Sequence, residues 1–154
     1  MKKTITVLVL AFCINTQAQT DSIHKIYYKS GKLQYEVPFA NGKINGFAKS
    51  YYESGKLLNE TTYTDDKENG VRKTYYLSGK LQQETSFTNG KENGISKWFY
   101  ESGKLYCETL FINGKENGVR KVYYESGKLQ EEVPFTNGQQ GEKKRYDEQG
   151  NLVK

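Results

Sequence analysis

The chain has 154 residues, which is the length of one ordinary domain and too short for a large multidomain enzyme. Only 35% of the residues are hydrophobic, so a thick core between two layers is not expected, yet an aromatic content of 14% argues against disorder. The formal net charge is +5, and the chain has one His, one Trp and one Met. Few catalytic constellations can be built from this composition, whereas 13 Tyr and 15 Gly favour a repetitive architecture.

The N-terminal segment has the pattern of a secretory signal peptide. Lys2 and Lys3 precede an apolar run over residues 5–14, and small side chains lead up to the bond between Ala18 and Gln19. We therefore predict a signal peptide over residues 1–18 and cleavage near Ala18-Gln19. The protein is then exported, to the periplasm, the cell surface or the medium. A lipoprotein leader is the alternative, because residues 10–13 resemble a lipobox, although a bulky Phe12 before the cysteine fits that processing poorly.

Removal of this leader changes the charge and the cysteine content. Of the 23 basic residues, Lys2 and Lys3 are lost, so 21 basic residues remain against 18 acidic ones, a net charge of +3. That charge is too small for a nucleic-acid footprint, and no nucleic-acid partner is predicted. Cys107 is then the single remaining cysteine, so neither an intramolecular disulfide nor a cysteine metal site is expected.

The rest of the chain, residues 19–154, consists of one unit that recurs with a period of 24 residues. Each copy contains two adjacent aromatic residues followed by a Ser-Gly-Lys-Leu segment or a close variant. The first aromatic residues of the copies are Tyr27, Tyr51, Tyr75, Phe99 and Tyr123, and a degenerate sixth copy has Tyr146. A fixed period of this size predicts a repeat domain, here with five full repeats and a degenerate copy that caps the C-terminal end.

Each copy has the pattern of a β-hairpin. A strand rich in Tyr, Val and Lys leads to a Ser-Gly turn, and an alternating strand follows. A loop that usually begins with Asn-Gly, such as residues 113–118 or its equivalent 65–70, leads to the next copy. If Ser126 and Gly127 form a two-residue turn, Tyr124 faces Leu129. The same register places a column of Lys opposite a column of Glu, in the pairs Lys25–Glu36, Lys49–Glu60, Lys73–Glu84, Lys97–Glu108 and Lys121–Glu132. The sequence therefore predicts an all-β fold, an elongated array of antiparallel hairpins that form a single twisted meander sheet of about eleven strands.

Period-two alternation separates two faces of this sheet. One face carries the second Tyr of each copy with columns of Leu and Phe, and the other face carries the Lys and Glu columns. Repeat scaffolds usually bind through their variable columns, and Trp and Arg are enriched at interaction hot spots. The candidate interaction surface on the first face therefore comprises Trp98, Arg72, Arg120, Cys107, Tyr35 and His24. The alternative is that Trp98 only fills space beside the small Cys107 that it should face.

A resemblance to a known family rests on the repeated spacing of Gly118, Tyr123-Tyr124, Ser126-Gly127-Lys128-Leu129, Phe135 and Asn137-Gly138. This pattern resembles the bacterial variant of the MORN (membrane occupation and recognition nexus) repeat, and the resemblance extends over residues 22–153. Bacterial proteins of this kind are often labelled YwqK-type antitoxins. The resemblance implies a scaffold without catalytic residues that contacts proteins and sometimes phospholipids.

No catalytic motif accompanies the repeats. His24 shares no plausible motif with a nucleophile, and the chain lacks an HExxH sequence, a nucleophile elbow and a Walker loop. Residues 65–70 have a calcium-like composition but lack the ligand spacing of an EF-hand. We therefore expect no enzymatic activity, no cofactor and no metal site.

The function that remains is binding. We expect a non-catalytic exported scaffold that binds an unknown protein partner in the bacterial envelope. One alternative is weak contact with an anionic membrane surface through the Lys column and exposed Tyr rings, although the Glu column and the charge of +3 count against it. Another alternative is an antitoxin or immunity-like protein that neutralises a toxin by binding it. Unpaired strand edges at the two ends of the sheet would also allow end-to-end self-association.

Overall fold

The computed structural model describes residues 21–153, and these residues form one antiparallel β-sheet. The predicted signal peptide and its cleavage site lie outside the described residues. The strands are β1 (Ser22–Tyr27), β2 (Leu33–Ala40), β3 (Lys43–Ile44), β4 (Gly46–Tyr51), β5 (Leu57–Thr64), β6 (Lys67–Glu68), β7 (Gly70–Tyr75), β8 (Leu81–Thr88), β9 (Lys91–Phe99), β10 (Leu105–Ile112), β11 (Lys115–Tyr123), β12 (Leu129–Thr136), β13 (Gln139–Gln140), β14 (Lys144–Tyr146) and β15 (Leu152–Val153).

The strands lie in chain order across the sheet, which confirms the predicted all-β meander. Twelve strands form the main path as six hairpins, one more strand than expected, while β3, β6 and β13 pair beside this path. Among the described strands, β1 pairs with β2 and β15 pairs with β14, so the sheet is open at both ends. No helix that could cross a membrane occurs within residues 21–153.

The hairpin turn differs from the predicted two-residue turn. In the fifth copy, the amide of Gly127 donates to the carbonyl of Tyr124, and the amide of Tyr124 donates to the carbonyl of Lys128, both at 2.8 Å. Residues 125–127 therefore form a three-residue loop, and Gly127 has a φ of 90°, which glycine adopts without the strain of a Cβ atom. The same two bonds recur at the hairpin turn of every copy.

A β-bulge in each full hairpin compensates for the extra loop residue. Tyr123 lies opposite Leu129, whereas Val122 lies opposite Glu131, so Gln130 is the additional residue on β12. The prediction that Tyr124 faces Leu129 is therefore wrong by one residue. Because the bulge restores the register, every predicted Lys–Glu pair is confirmed.

The connections between copies are shorter than the sequence suggested. In the Asn-Gly turn of the fifth copy, Asn137 and Gly138 have φ angles of 51° and 83°, and Thr136 lies opposite Gln139 on the other side of the turn. Two left-handed residues between paired strands are characteristic of tight hairpin turns. The Lys-Glu segments after these turns, which were predicted as loop, are therefore strands, and Glu116 lies opposite Phe111.

The two faces of the sheet differ in burial. Within residues 21–153, all the buried side chains project to the face opposite the Lys and Glu columns. We call this the hydroxyl face, because its buried polar members are Ser50, Thr61, Thr85, Ser96 and Thr109; the buried apolar members are Phe87, Cys107, Val133 and Phe135. The other side, with the Lys and Glu columns, is the charged face. The polar chain thus buries small hydroxyl side chains where a thicker protein would bury aliphatic ones.

Two ladders of tyrosine hydroxyls join consecutive copies. The second Tyr of each full copy donates to the backbone carbonyl of the first aromatic residue of the next copy at 2.6–2.8 Å, in the pairs Tyr28–Tyr51, Tyr52–Tyr75, Tyr76–Phe99, Tyr100–Tyr123 and Tyr124–Tyr146. The first Tyr donates instead to the Glu of the preceding copy, in the pairs Tyr51–Glu36, Tyr75–Glu60, Tyr123–Glu108 and Tyr146–Glu132. An isolated hairpin is only marginally stable, so these bonds between neighbours stabilise the array.

Candidate interaction surface

Two clefts on the hydroxyl face contain residues of the predicted interaction surface. The first cleft has a volume of about 230 Å³, and the residues that line it include Tyr35, Ser50, Asn59, Thr61, Glu68 and Arg72. The second cleft has a volume of about 420 Å³, and its lining includes Trp98, Cys107, Phe111, Glu116, Arg120 and Glu131. Both clefts therefore combine aromatic surface with an Arg and a Glu.

The structure separates the six candidate residues into three places. Trp98 lies opposite Cys107, as the sequence predicted, and both share the second cleft with Arg120. Tyr35 and Arg72 line the first cleft. His24 contributes to neither cleft; its ring stacks on Phe39 with the ring centroids 4.5 Å apart.

Both arginines are held in place by two partners each. The guanidinium of Arg72 lies 4.4 Å from the centre of the Phe87 ring, and its Nε donates to Glu68 Oε1 at 3.0 Å. The guanidinium of Arg120 lies 4.7 Å from the Phe135 ring, and its Nη1 donates to Glu116 at 3.1 Å. A cation over an aromatic ring is favourable, and the carboxylate fixes its orientation. The two positive groups are therefore presented in defined positions, with about a third of each side chain exposed.

A third carboxylate of the same column has no such partner. Glu68, Glu92 and Glu116 occupy equivalent positions in successive copies, but Ser96 stands where the other two of these copies have Arg72 and Arg120. No ion pair to Glu92 occurs among the described residues. Burial raises the pKa of Glu92, the nearby Arg72 opposes that rise, and the negative charge of Glu116 adds to it. Glu92 is thus a carboxyl group on the hydroxyl face without an ion pair among the described residues.

Two buried hydroxyls on this face also lack partners. Ser50 Oγ and Thr109 Oγ1 make no hydrogen bond within residues 21–153, although both residues are more than nine-tenths buried. By contrast, Thr85 Oγ1 and Ser96 Oγ lie 2.6 Å apart in a hydrogen bond. An unpaired buried hydroxyl is unfavourable, and Ser50 lines the first cleft. A polar group of a partner in that cleft would satisfy it.

Cys107 does not have the properties of a reactive thiol. Its side chain is buried, and burial raises its pKa to about 11. The thiolate is the nucleophilic and metal-binding form, so this cysteine is protonated and unreactive near neutral pH. Within residues 21–153 no cluster of three or more potential ligands suited to a metal ion occurs.

Sequence reasoning missed the acidic members of the clefts. Glu68 and Glu116 were assigned to loops, because the Lys-Glu-Asn-Gly segments look like turn sequences. The spacing in the sequence could have indicated them, because Glu68 precedes Arg72 by four residues and Glu116 precedes Arg120 by four. The fourth copy has the Glu but not the Arg.

The fold defines a class of repeat protein in which each copy is a β-hairpin that pairs with the next to extend one sheet. The sequence model of the family described as "MORN repeat variant" matches residues 21–41, 44–65, 68–89, 92–113 and 116–137, which is more than half of the chain. The chain belongs to this family. MORN repeats generally act as modules that contact proteins or membranes, and the family is not a known enzyme family. A search of curated proteins finds no match to the chain.

Proposed function

We propose that this protein is a non-catalytic exported scaffold that binds a partner protein through the hydroxyl face. The observation that supports the proposal is the pair of clefts on that face, each with an aromatic side chain beside an arginine held in place. The predicted signal peptide is the basis for the exported location.

The second cleft has the chemistry of an interaction hot spot. Trp98 offers a large ring that is only part-buried, and Arg120 is already oriented by Phe135 and Glu116. A side chain that is fixed before binding loses less conformational entropy when the complex forms. Hot spots are enriched in Trp and Arg, and their truncation typically costs 2 kcal/mol or more of binding free energy. A partner that places a side chain between Trp98 and Arg120 would bury both.

The test compares two single variants of the purified protein. Trp98→Ala removes the aromatic wall of the cleft, whereas Phe47→Ser changes a residue on the charged face that is 57% exposed. Envelope proteins captured by the wild type and by Phe47→Ser, but not by Trp98→Ala, are the expected result. For an identified partner, we expect the affinity to fall on the order of thirtyfold in Trp98→Ala. A Trp98→Ala variant that keeps the wild-type urea midpoint and the wild-type set of captured proteins contradicts the proposal.

A second candidate function is supported by a different observation. The charged face carries a column of exposed apolar side chains, Ile23, Phe47, Val71, Ile95 and Val119, next to the Lys column. Apolar groups beside lysines are the combination that attaches proteins to anionic membrane surfaces. The candidate function is therefore contact of the charged face with anionic phospholipid.

Sedimentation with anionic vesicles tests this second function. We expect binding at low salt, reduced in Ile95→Glu and unchanged in Trp98→Ala, because these residues lie on opposite faces. No sedimentation with vesicles at low salt eliminates it. An antitoxin or immunity-like role would be a special case of protein binding, and rescue of cells from a co-expressed exported toxin is the result that would support it.

A further inference from the structure

The interior boundaries between copies show which contacts the first strand of the array would make with a strand added at its free edge. At interior boundaries, a Lys lies between two Glu residues; Lys49, for example, pairs with Glu36 on one side and Glu60 on the other. In most copies, the hydroxyl of the first Tyr also bonds to the preceding Glu, as Tyr51 does to Glu36 at 2.6 Å. The carbonyl of that same residue receives the hydroxyl of the preceding copy, as Tyr51 receives Tyr28.

Strand β1 has the Lys and the first Tyr of such a boundary, but within the described residues no preceding copy supplies a Glu and a Tyr hydroxyl to them. Lys25 bonds to Glu36 at 3.3 Å but has no second Glu among residues 21–153. The side chain of Tyr27 is half exposed, and within the described residues its hydroxyl meets no carboxylate and its carbonyl receives no hydroxyl. Residues 23–27 are all exposed, and β1 pairs with β2 alone among the described strands. An edge of this kind is a template for an added strand.

We propose that β1 is a docking edge for an extended segment of another protein that carries a carboxylate at the position facing Lys25. The segment adds to β1 as an antiparallel strand, with a carboxylate opposite Lys25. By the geometry of the interior boundaries, that carboxylate accepts a hydrogen bond from the Tyr27 hydroxyl. Backbone bonds to the edge supply affinity, and the Lys25 and Tyr27 side chains select the register.

A second copy of this chain fits the edge poorly. If two β1 strands pair antiparallel with their faces aligned, the two registers with the largest overlap place His24 opposite His24 or Lys25 opposite Lys25, and neither offers Lys25 a carboxylate. The register that places Lys25 opposite Asp21 pairs only residues 22–24 of each strand. The far end of the array also lacks the donor. Asp147 replaces the second Tyr there, and its carboxylate accepts the amides of Gln149 at 3.0 Å and Asn151 at 2.8 Å in its own turn. Charge complementarity with Lys25 therefore favours a carboxylate-bearing segment of a different protein.

A labelled synthetic peptide that copies residues 76–88 is the probe, because it contains both a donor hydroxyl and the Glu of an interior boundary. Fluorescence anisotropy with the purified protein should show saturable binding. Tyr27→Phe should weaken binding about tenfold, since it removes a hydrogen bond to a charged group. The matched control is Tyr146→Phe, which removes the equivalent bond at the far end of the array and should leave binding unchanged.

A charge-reversal experiment distinguishes loss of this contact from misfolding of a variant, because it predicts a gain of binding. A peptide with Glu84→Lys should bind the wild-type protein more weakly, and Lys25→Glu in the protein should restore its binding severalfold. Hydrogen exchange should show new protection in β1 when the peptide is bound. Because neither β1 nor β2 lines the second cleft, Trp98→Ala should not change peptide binding, so failure here is distinct from failure of the proposed function.

Four results of the peptide experiments would each overturn the inference. They are the absence of saturable binding at millimolar peptide, equal affinities of the wild type and Tyr27→Phe, a failed charge-reversal rescue, and new protection at β15 or in the clefts. A dimer in analytical ultracentrifugation that Lys25→Glu converts to monomer would place a second copy on this edge and would also overturn it.

Discussion

At the scale of residues, the tyrosines explain how such a polar chain holds together. From the second copy onward, the ring of the first Tyr packs on the charged face and its hydroxyl donates to a carboxylate of the preceding copy, as Tyr75 does to Glu60 at 2.7 Å. A hydrogen bond to a charged acceptor is stronger than a bond between neutral groups. The fourth copy is the exception, because Phe99 occupies the equivalent position and offers Glu84 no hydroxyl. The natural sequence thus contains its own comparison.

At the first aromatic position of a copy, replacement of Tyr by Phe and replacement of Phe by Tyr should change the free energy of unfolding in opposite directions. Tyr75→Phe removes the bond to Glu60 and should lower the free energy of unfolding by about 1 to 2 kcal/mol. Phe99→Tyr creates the missing bond to Glu84 and should raise it by up to about 1 kcal/mol. Urea unfolding followed by circular dichroism measures both changes. If Phe99→Tyr and Tyr75→Phe shift the midpoint in the same direction, the hydroxyl–carboxylate bond is not the stabilising contact.

The same tyrosines should make the protein sensitive to alkali. Burial, together with the bond to a neighbouring carboxylate, raises the pKa of Tyr51, Tyr75 and Tyr123 to about 12 each, whereas an unfolded tyrosine titrates near 10. Below pH 10 both states keep their protons. Between pH 10 and 12 the unfolded state loses protons that the folded state retains, so the free energy of unfolding falls as the pH rises.

Urea midpoints at pH 8, 10 and 11, with tyrosinate absorbance recorded in parallel, measure this loss of stability. The decline should be shallower in Tyr75→Phe, which has one fewer perturbed phenol. A midpoint that stays the same from pH 8 to pH 11 would contradict the assignment.

At the scale of elements, the sequence predicted the hairpins and their pairing but not the details of the turns. The period of 24 and the alternation of Lys and Glu were sufficient to place Lys121 opposite Glu132, because a buried face tolerates no register slip. The three-residue loop at Gly127 and the bulge at Gln130 were missed together. The longer loop shifts the register by one residue, and the bulge shifts it back. The alternation of side chains beyond them is therefore unchanged and does not indicate either feature.

The candidate surface was predicted less completely than the fold. The pairing of Trp98 with Cys107 followed from the register, whereas the roles of Glu68 and Glu116 did not. Glu68 follows the tight Asp65-Asp66 turn and Glu116 follows the tight Asn113-Gly114 turn. Their contacts with Arg72 and Arg120 depend on shifts of register near Gly70 and Gly118. Alternation alone does not indicate on which face a side chain emerges after a bulge.

Two glycines with similar backbone angles should respond differently to substitution. Gly94 has a φ of 117°, and an added Cβ would lie 3.0 Å from the Cβ of Ser86. Gly103 has a φ of 92°, and an added Cβ there would meet nothing within 4 Å. Gly103→Ala should therefore cost about 1 kcal/mol from backbone strain alone, and Gly94→Ala about 2 to 3 kcal/mol. Equal losses in urea unfolding would exclude crowding against Ser86 as a cause.

At the scale of the whole molecule, stability should vary along the array. The side chains that are almost fully buried, Thr85, Ser96 and Val133, lie in β8, β9 and β12, whereas β1 and β15 are mostly exposed. In a repeat array each copy is stabilised by its neighbours, and the end copies have a neighbour on one side only.

Hydrogen exchange should reveal that gradient. Backbone amides of β8 to β11 should exchange most slowly, and those of β1, β14 and β15 should exchange fastest, because the ends can open without the centre. Mass spectrometry of peptic fragments over a time course measures the rates. Uniform rates across all copies would indicate one cooperative unit without fraying ends.

The hydrogen bonds from the second Tyr of each copy to the backbone of the next copy also affect how a gene for such an array can change in length. Each hydroxyl bond to a backbone carbonyl joins consecutive copies; it spans 23 positions at four boundaries and 22 at the last, where the preceding loop is shorter. Loss or duplication of one complete unit therefore brings together two copies that already contain a matching donor and acceptor. Unequal recombination between the repeated coding segments can lengthen or shorten the array in steps of one hairpin, and each product retains every type of contact that the present boundaries use.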